Sequence, residues 1–534
     1  MISRGRRPAT ILLLALATVA LYGTRLSDAP MYLGQDEVFF GITAHSIAST
    51  GRDLGGRLLP LYFQWPAEIS TNVFYQPMLI YSTALLLKAV PLSEAAIRAP
   101  TVVVGLADVV LMYVVALRIF KRESSAVLAA VLLLLTPAHF IHSRFAMDYL
   151  YPVPFVLGWL LGLLVFIEEG RPWTLFASTL ALGVGFYSYI AAVVMMPMYF
   201  VITCGFLVFQ KRPLRDYGVA AAGFALPLVP IVPWLLTHPD AVALTARRYE
   251  LYGAAHAGPL LSARTTILRS LRESLHFFFI TERVSLYWYF FNPAYLFLTG
   301  GLVVVSATRR FGVFLLPLAV LIPVGINYLI NVRRTAVGAL LLVGVVTAPV
   351  AACLVNEQYA IFRELELLPF AVLIAVVGVE AMLPARRALV RWTAIALLAL
   401  VPVQFALFHR DYFGRYAVES AGWFGGNIRG GLEDVIARSR RGGHAAIYLP
   451  KIIPYMDWYW RFYLIKQREP DLAGRTVLFD AGRIDTVAIP SGSLMIVQDS
   501  DPAAGPLLRS DRLEKLRLVA QPNGEPFLWV VQKR

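Results

Sequence analysis

Long apolar runs, separated by short turns that carry Arg and Lys, dominate the chain from residue 9 to residue 408. Most approach the ~20 residues that a helix needs to cross a bilayer core. The pattern predicts spans at about 9–23, 98–119, 125–141, 150–167, 173–190, 192–209, 217–236, 311–331, 336–355, 366–384 and 389–408, eleven in all. The run 174–209 is too long for one helix and is expected to turn at Tyr187-Ser188-Tyr189. After 409 the pattern changes to charged, mixed sequence with short β-like runs at 445–449, 476–479, 494–497, 516–519 and 527–531. Such runs between turn residues read as strands. A Trp- and Tyr-rich stretch around 455–466 reads as a helix. The expected organisation is a membrane part, 1–410, followed by a small α/β domain, 411–534, outside the membrane.

Basic turns orient the spans, because Lys and Arg accumulate in short cytoplasmic loops. Arg4, Arg6 and Arg7 put the N-terminus in the cytoplasm, and the first span leads out to a segment, 24–97. Within it, 76–90 decides the rest. If 76–90 crosses, Arg118, Lys121 and Arg122 fall outside. If it lies along the interface, they fall inside, together with Arg171, Lys211/Arg212/Arg215, Arg333/Arg334 and Arg386/Arg387/Arg391. The second arrangement is adopted. It requires that 287–306, broken by Asn292-Pro293 and Gly300-Gly301, does not span, and it leaves Arg309 and Arg310 as its one violation. The external parts are then 24–97, 142–149, 187–191, 237–310, 356–365 and everything after 409.

Composition agrees with a polytopic membrane protein: 58% of the 534 residues are hydrophobic, more than a soluble chain of this length carries. A net charge of +14 could suit nucleic acid, but most clustered cations lie in the turns between spans, so no nucleic-acid partner is expected. Cys204 and Cys353 sit inside apolar runs, which argues against a disulfide or a Cys-based metal site. The N-terminal run lacks a clear small-residue cleavage site and is read as a retained anchor. Walker, GxGxxG-after-strand, GxSxG and HExxH motifs do not occur, so nucleotide and metalloprotease chemistry has no foothold.

Four places could carry chemistry. Asp36 and Glu37 lie just beyond the first span; carboxylates beside a bilayer are costly unless paired, solvated or used, though they also suit the first turn of a helix. Arg144 and Asp148 are four apart, so a helix would pair them, as an interface anchor or as working groups. His139 and His142 nearby read as satisfied polar residues rather than metal ligands. Arg363, at an external interface, either meets an anion such as a phosphate or pairs with Glu364 or Glu366. Tyr187 and Tyr189 stand in an aromatic turn of the kind that also forms interfacial belts. Arg98 is expected to position the start of a span.

The order of these motifs resembles a known family. Gln35-Asp36-Glu37 is followed by Tyr75-Gln76-Pro77 with Tyr81, Ile97-Arg98-Ala99-Pro100, Ser143-Arg144-Phe145 with Asp148, the Phe186–Tyr189 turn, and Arg363 before Leu368-Pro369. This resembles the bacterial glycosyltransferases related to protein O-mannosyltransferases and to the lipid A aminoarabinose transferase, over about 30–410. The resemblance implies a polytopic α-helical GT-C fold and a hexosyl- or pentosyltransferase of the bacterial inner membrane. It implies a polyprenyl-phosphate sugar donor and a hydroxyl acceptor at the external face, with Asp36 as general base and Glu37 supporting it. Arg363 would meet the leaving lipid phosphate, Arg144 and Asp148 would brace the loop holding Asp36 or contact the donor, and His142, Tyr187 and Tyr189 would also lie at the substrates. No residue is assigned to a metal; a divalent cation is left open, since one carboxylate pair makes a poor octahedral site. The Tyr75-Gln76-Pro77 stretch is a reduced form of the mannosyltransferase motif, which weakens a protein acceptor. The alternative is a transporter or flippase of a lipid-linked molecule. It would need charges buried mid-span and preferably repeat symmetry. Asp108 is the one obvious mid-span carboxylate, and no repeat stands out.

Overall fold

The computed structural model describes residues 7–65, 74–248, 277–355 and 357–534. Arg4, Arg6, Asn356 and the stretch 249–276 of the second external segment lie outside the described residues. The chain divides into two compact units. A bundle unit comprises Met1–Thr24, Arg52–Leu79 and Thr101–His409; a sheet unit comprises Arg25–Gly51, Ile80–Pro100 and Arg410–Arg534.

Among the described residues of the chain, five helices are individually long and apolar enough to cross a membrane: Glu94–Phe120, Asp148–Glu169, Ala192–Phe209, Ala336–Leu354 and Ala388–Glu419. A sixth is a pair, Leu214–Leu228 and Ile231–Thr237, bent by 47°. Other expected spans fall on shorter apolar helices, Arg7–Gly23, Glu123–Leu134, Leu318–Asn331 and Leu367–Met382. One expected span, 125–141, is broken: the helix Glu123–Leu134 stops and Pro137 opens the next, Pro137–His142. Proline has no N–H to donate and clashes with the preceding turn, so it starts helices better than it continues them. The long run 174–209 does divide, into Pro172–Gly185 and Ala192–Phe209 with a turn between.

The Leu367–Met382 helix is apolar all round but for Glu380 near its end, and almost wholly buried, as suits a bundle centre. It crosses Leu318–Asn331 at two glycines. A Cβ at Gly325 would collide with the Ile374 carbonyl oxygen, and one at Gly378 with the Leu321 carbonyl oxygen. Small residues let two backbones approach where lipid gives helices no hydrophobic reason to associate. Gly378→Ala is therefore expected to destabilise the protein by about 1–3 kcal/mol, the usual cost of overpacking, read as a lowered thermal midpoint in detergent. An unchanged midpoint would mean that the crossing relaxes freely.

In the sheet unit the five strands are β1 at Ile447–Pro450, β2 at Thr476–Phe479, β3 at Leu494–Gln498, β4 at Leu513–Ala520 and β5 at Pro526–Lys533, in the spatial order β2-β1-β3-β5-β4. β1 pairs in parallel with β2 and β3; β5 is antiparallel to β3 and β4. Each strand overlaps one of the five β-like runs. Phe479, Met495, Val497, Leu513 and Val531 join one buried cluster.

The division of the chain differs from the one drawn at 410/411, because segments 25–51 and 80–100 pack with the C-terminal residues. The helix Gln35–Thr50 lies against the helix Met456–Gln467, with the Phe39 and Trp458 rings 5.2 Å apart. Gly41 makes room: a Cβ there would press on Ile97 and Phe462 at 3.2 Å each. Glu94 adds polar ties, taking Lys466 Nζ at 2.8 Å and lying 3.7 Å from Arg429 Nε.

Candidate active site

Asp36 and Glu37 belong to the sheet unit; His142, Arg144, Asp148, Tyr187, Tyr189 and Arg363 belong to the bundle unit.

Asp36 and Glu37 occupy the first turn of the helix Gln35–Thr50, where the positive end of the helix dipole favours acids. Gly34 precedes them and has no side chain to cap the helix, so Glu37 folds back and accepts from the Gly34 N–H at 3.1 Å. Glu37 is buried and ion-paired. Arg98 Nε donates to its Oε1 at 2.8 Å and Nη2 to its Oε2 at 2.9 Å. The remaining Arg98 donors reach carbonyls: Nη1 to Leu26 at 3.0 Å and Pro30 at 2.8 Å, Nη2 to Tyr32 at 2.7 Å. All five guanidinium N–H groups are thus engaged, which is what a fully buried cation requires. One arginine ties the loop after the first helix to the acid turn. Asp36, beside Glu37, stays half-exposed. Tyr459 donates to the Leu33 carbonyl at 2.9 Å; burial first, and then the charges of Glu37 and Asp36, push its phenol pKa up.

In the bundle unit, Arg144 is buried on the end of the first helix. Its Nη1 donates to the Tyr22 carbonyl, its Nη2 to that of Thr24 at 2.7 Å, and its guanidinium lies 5.1 Å from the Phe140 ring. A cation on the last carbonyls of a helix caps them and suits the negative end of the dipole. The helical pairing of Arg144 with Asp148 is corrected: the helix ends at His142, and Asp148 begins a separate turn, Asp148–Leu150, so the four-residue spacing is not a helical one.

His142, Tyr189 and Arg363 do come together. His142 packs against Phe145 and Tyr149, and Tyr149 lies 5.3 Å from Tyr189 and 4.8 Å from Phe362, ring to ring. Arg363 Nη1 approaches the Tyr189 hydroxyl at 3.4 Å. The expected partners of Arg363, Glu364 or Glu366, give way to Glu357, whose Oε2 accepts from Nε at 2.7 Å. Glu364 instead takes the Tyr295 hydroxyl at 2.6 Å, and burial holds its carboxyl well above the usual range, with Glu366 adding to the shift. His142 Nδ1 lies 2.8 Å from the Ala138 carbonyl, so that nitrogen carries the proton. Its Nε2 is left as a buried acceptor without a partner among the described residues. Tyr187 is not part of this group: its ring faces Tyr62 and its hydroxyl donates to the Pro227 carbonyl at 2.8 Å.

Tyr149, Phe362, Glu357 and Tyr459 were not singled out in the sequence. An aromatic or an acid among many in a membrane protein carries no local signal. Among the described residues, no three His, Cys, Asp or Glu side chains gather as a metal site would require.

Residues 75–236 match the family model described as dolichyl-phosphate-mannose-protein mannosyltransferase. Across 98% of both chains the structure is similar to that of ArnT from Cupriavidus metallidurans bound to undecaprenyl phosphate, with a TM-score of 0.55 and 13% identity. The apo form of that protein gives 0.54 and 14% over 97% of both chains. No curated protein sequence matches. Helices and likeness together define the class, a membrane protein of the GT-C fold. Within that class, the likeness to dolichyl-phosphate-mannose-protein mannosyltransferases is confined to residues 75–236.

Proposed function

We propose that this chain moves a sugar from a polyprenyl-phosphate-linked donor to a hydroxyl acceptor on the extracytoplasmic face of a bacterial inner membrane. The reading draws on the family match and on a structural relative whose bound molecule is undecaprenyl phosphate. The observation that carries it is the buried Arg98–Glu37 clamp, which immobilises one acid of the pair and holds the other, Asp36, half-exposed at a helix start.

In the reaction, the acceptor oxygen bonds to the anomeric carbon while the bond from that carbon to the phosphate oxygen breaks. The electron pair leaves with the phosphate. Asp36 takes the acceptor's proton as the oxygen attacks, the role a general base plays in such a displacement. Glu37 is a positioning residue. Arg363 stabilises the charge that grows on the departing phosphate, exchanging Glu357 for it. His142 Nε2 accepts a substrate hydroxyl, and Tyr189 and Tyr149 offer ring surface beside it. Arg144 acts by fixing the end of the first helix.

The external placement rests on 76–90 lying along the interface. The helix there, Pro77–Leu87, has 11 residues, about 16 Å at 1.5 Å per residue, against a core of ~30 Å.

Arg363→Ala is expected to raise the donor KM by about tenfold or more with the acceptor KM little changed, since charge-assisted hydrogen bonds contribute ~1.5–3 kcal/mol. Steady-state kinetics with each substrate varied in turn checks it. An unaltered donor dependence would remove Arg363 from phosphate binding.

A further inference from the structure

Where the helices Glu94–Phe120 and Pro152–Glu169 end, the bundle unit holds a cavity of about 190 Å³, which also meets the end of Leu318–Asn331 and the start of Ala336–Thr347. Its rim carries Arg118, Lys121 and Arg333 around one carboxylate, Glu168. Arg118 and Lys121 both engage that carboxylate, Arg118 at 2.6 Å. Arg333 has no side-chain partner among the described residues, whereas the neighbouring Arg334 turns back to the preceding helix, Leu318–Asn331, and donates to the Ile330 carbonyl at 2.8 Å. Below the rim the lining is apolar, with Leu164 and Leu341 among its residues. Three cations sharing one acid leave an uncompensated positive field over an apolar floor.

We propose that this cavity binds the headgroup of an anionic glycerophospholipid, with the phosphate against Arg333 and Lys121 and the acyl chains along the helices below. At ~30 Å³ per water in the liquid, the space suits one phosphate with part of its glycerol. Basic pockets between membrane helices are a recognised chemistry for such headgroups. The apolar floor favours a lipid over a soluble phosphate, which would leave it uncovered. None of the residues involved is among those assigned to sugar transfer, so this site and the proposed reaction stand or fall separately.

The test uses the purified full chain in detergent and native mass spectrometry, titrating phosphatidylglycerol and phosphatidylcholine with the same acyl chains. Phosphatidylglycerol is expected to bind selectively. Lys121→Ala/Arg333→Ala is expected to weaken it about thirtyfold, from ~1 kcal/mol per basic residue. Lys121→Arg/Arg333→Lys should retain binding, and Arg334→Ala, which removes a charge from the same turn, should leave it unchanged. Equal retention of the two lipids, undiminished binding by the double alanine variant, or an equal loss in Arg334→Ala would overturn the site. So would displacement of the lipid by millimolar glycerol phosphate, which would mark a soluble-phosphate site. Thermal midpoints of the variants are measured alongside. If the double alanine variant unfolds, the Arg/Lys exchange variant decides, and its failure to retain phosphatidylglycerol overturns the site.

Discussion

Asp36→Asn is expected to abolish sugar transfer, by about a hundredfold to ten-thousandfold, the range that a positioned general base contributes. Yield, membrane insertion and thermal midpoint should stay near those of the parent, because Asn keeps the shape and can still sit in a first helical turn. Asp36 is half-buried, and the Asn amide keeps an oxygen acceptor in the same place. The measurement is single-turnover conversion of a lipid-phosphate sugar by the purified variant. Near-parental turnover would take Asp36 out of the mechanism and leave the acceptor to be deprotonated by another group.

The second large effect concerns stability. Arg98→Met removes all five donors from one buried point and strands the Glu37 carboxylate, which is 2% exposed. Breaking a buried ion pair by deleting one partner costs about 3–5 kcal/mol, because the survivor's charge is left uncompensated. Arg98→Met is thus expected to lower the thermal midpoint sharply or abolish folded yield. The double variant Arg98→Met/Glu37→Leu should recover part of that loss, since no charge is left buried. The recovery is incomplete, because the carbonyls of Leu26, Pro30 and Tyr32 lose their donor. Additive losses in the double variant would show that the pair does not act as a unit. Glu37→Gln separates positioning from support: it should lower kcat at unchanged donor KM, whereas a merely structural Glu37 would leave the kinetics of the folded fraction unaltered.

Features set by local chemistry were legible in the sequence. The acid pair after the first apolar run marks a helix start, and the structure has that start at Gln35. The five β-like runs of the C-terminal part fall on the five strands, since short apolar runs bounded by turn residues are a local signal. Less legible was anything that depends on distant partners. Glu37 and Arg98 are separated by 61 positions, and nothing in either neighbourhood names the other. Arg144 reaches carbonyl oxygens, which have no sequence signature at all. Arg363 passes over its neighbour Glu364 for Glu357 because the chain takes a tight turn at Ile361–Arg363 that no periodicity announces. The break at Thr136-Pro137 was readable, since proline marks a helix start, but an apolar run on both sides masked it. The packing of 25–51 and 80–100 with the C-terminal residues was hidden for a similar reason: composition groups segments by hydropathy, while Glu94, Lys466 and Arg429 group them by charge across more than 300 positions.

The most direct test compares envelope glycans, glycolipids and glycoproteins by mass spectrometry in three strains: one lacking the chain, the same strain carrying the parent chain, and the same strain carrying Asp36→Asn at equal membrane abundance. A hexose or pentose increment on a hydroxyl-bearing acceptor should vanish in the first strain, return in the second and stay absent in the third. Identical glycoconjugates in all three strains would contradict a lipid-phosphate sugar transferase that depends on Asp36.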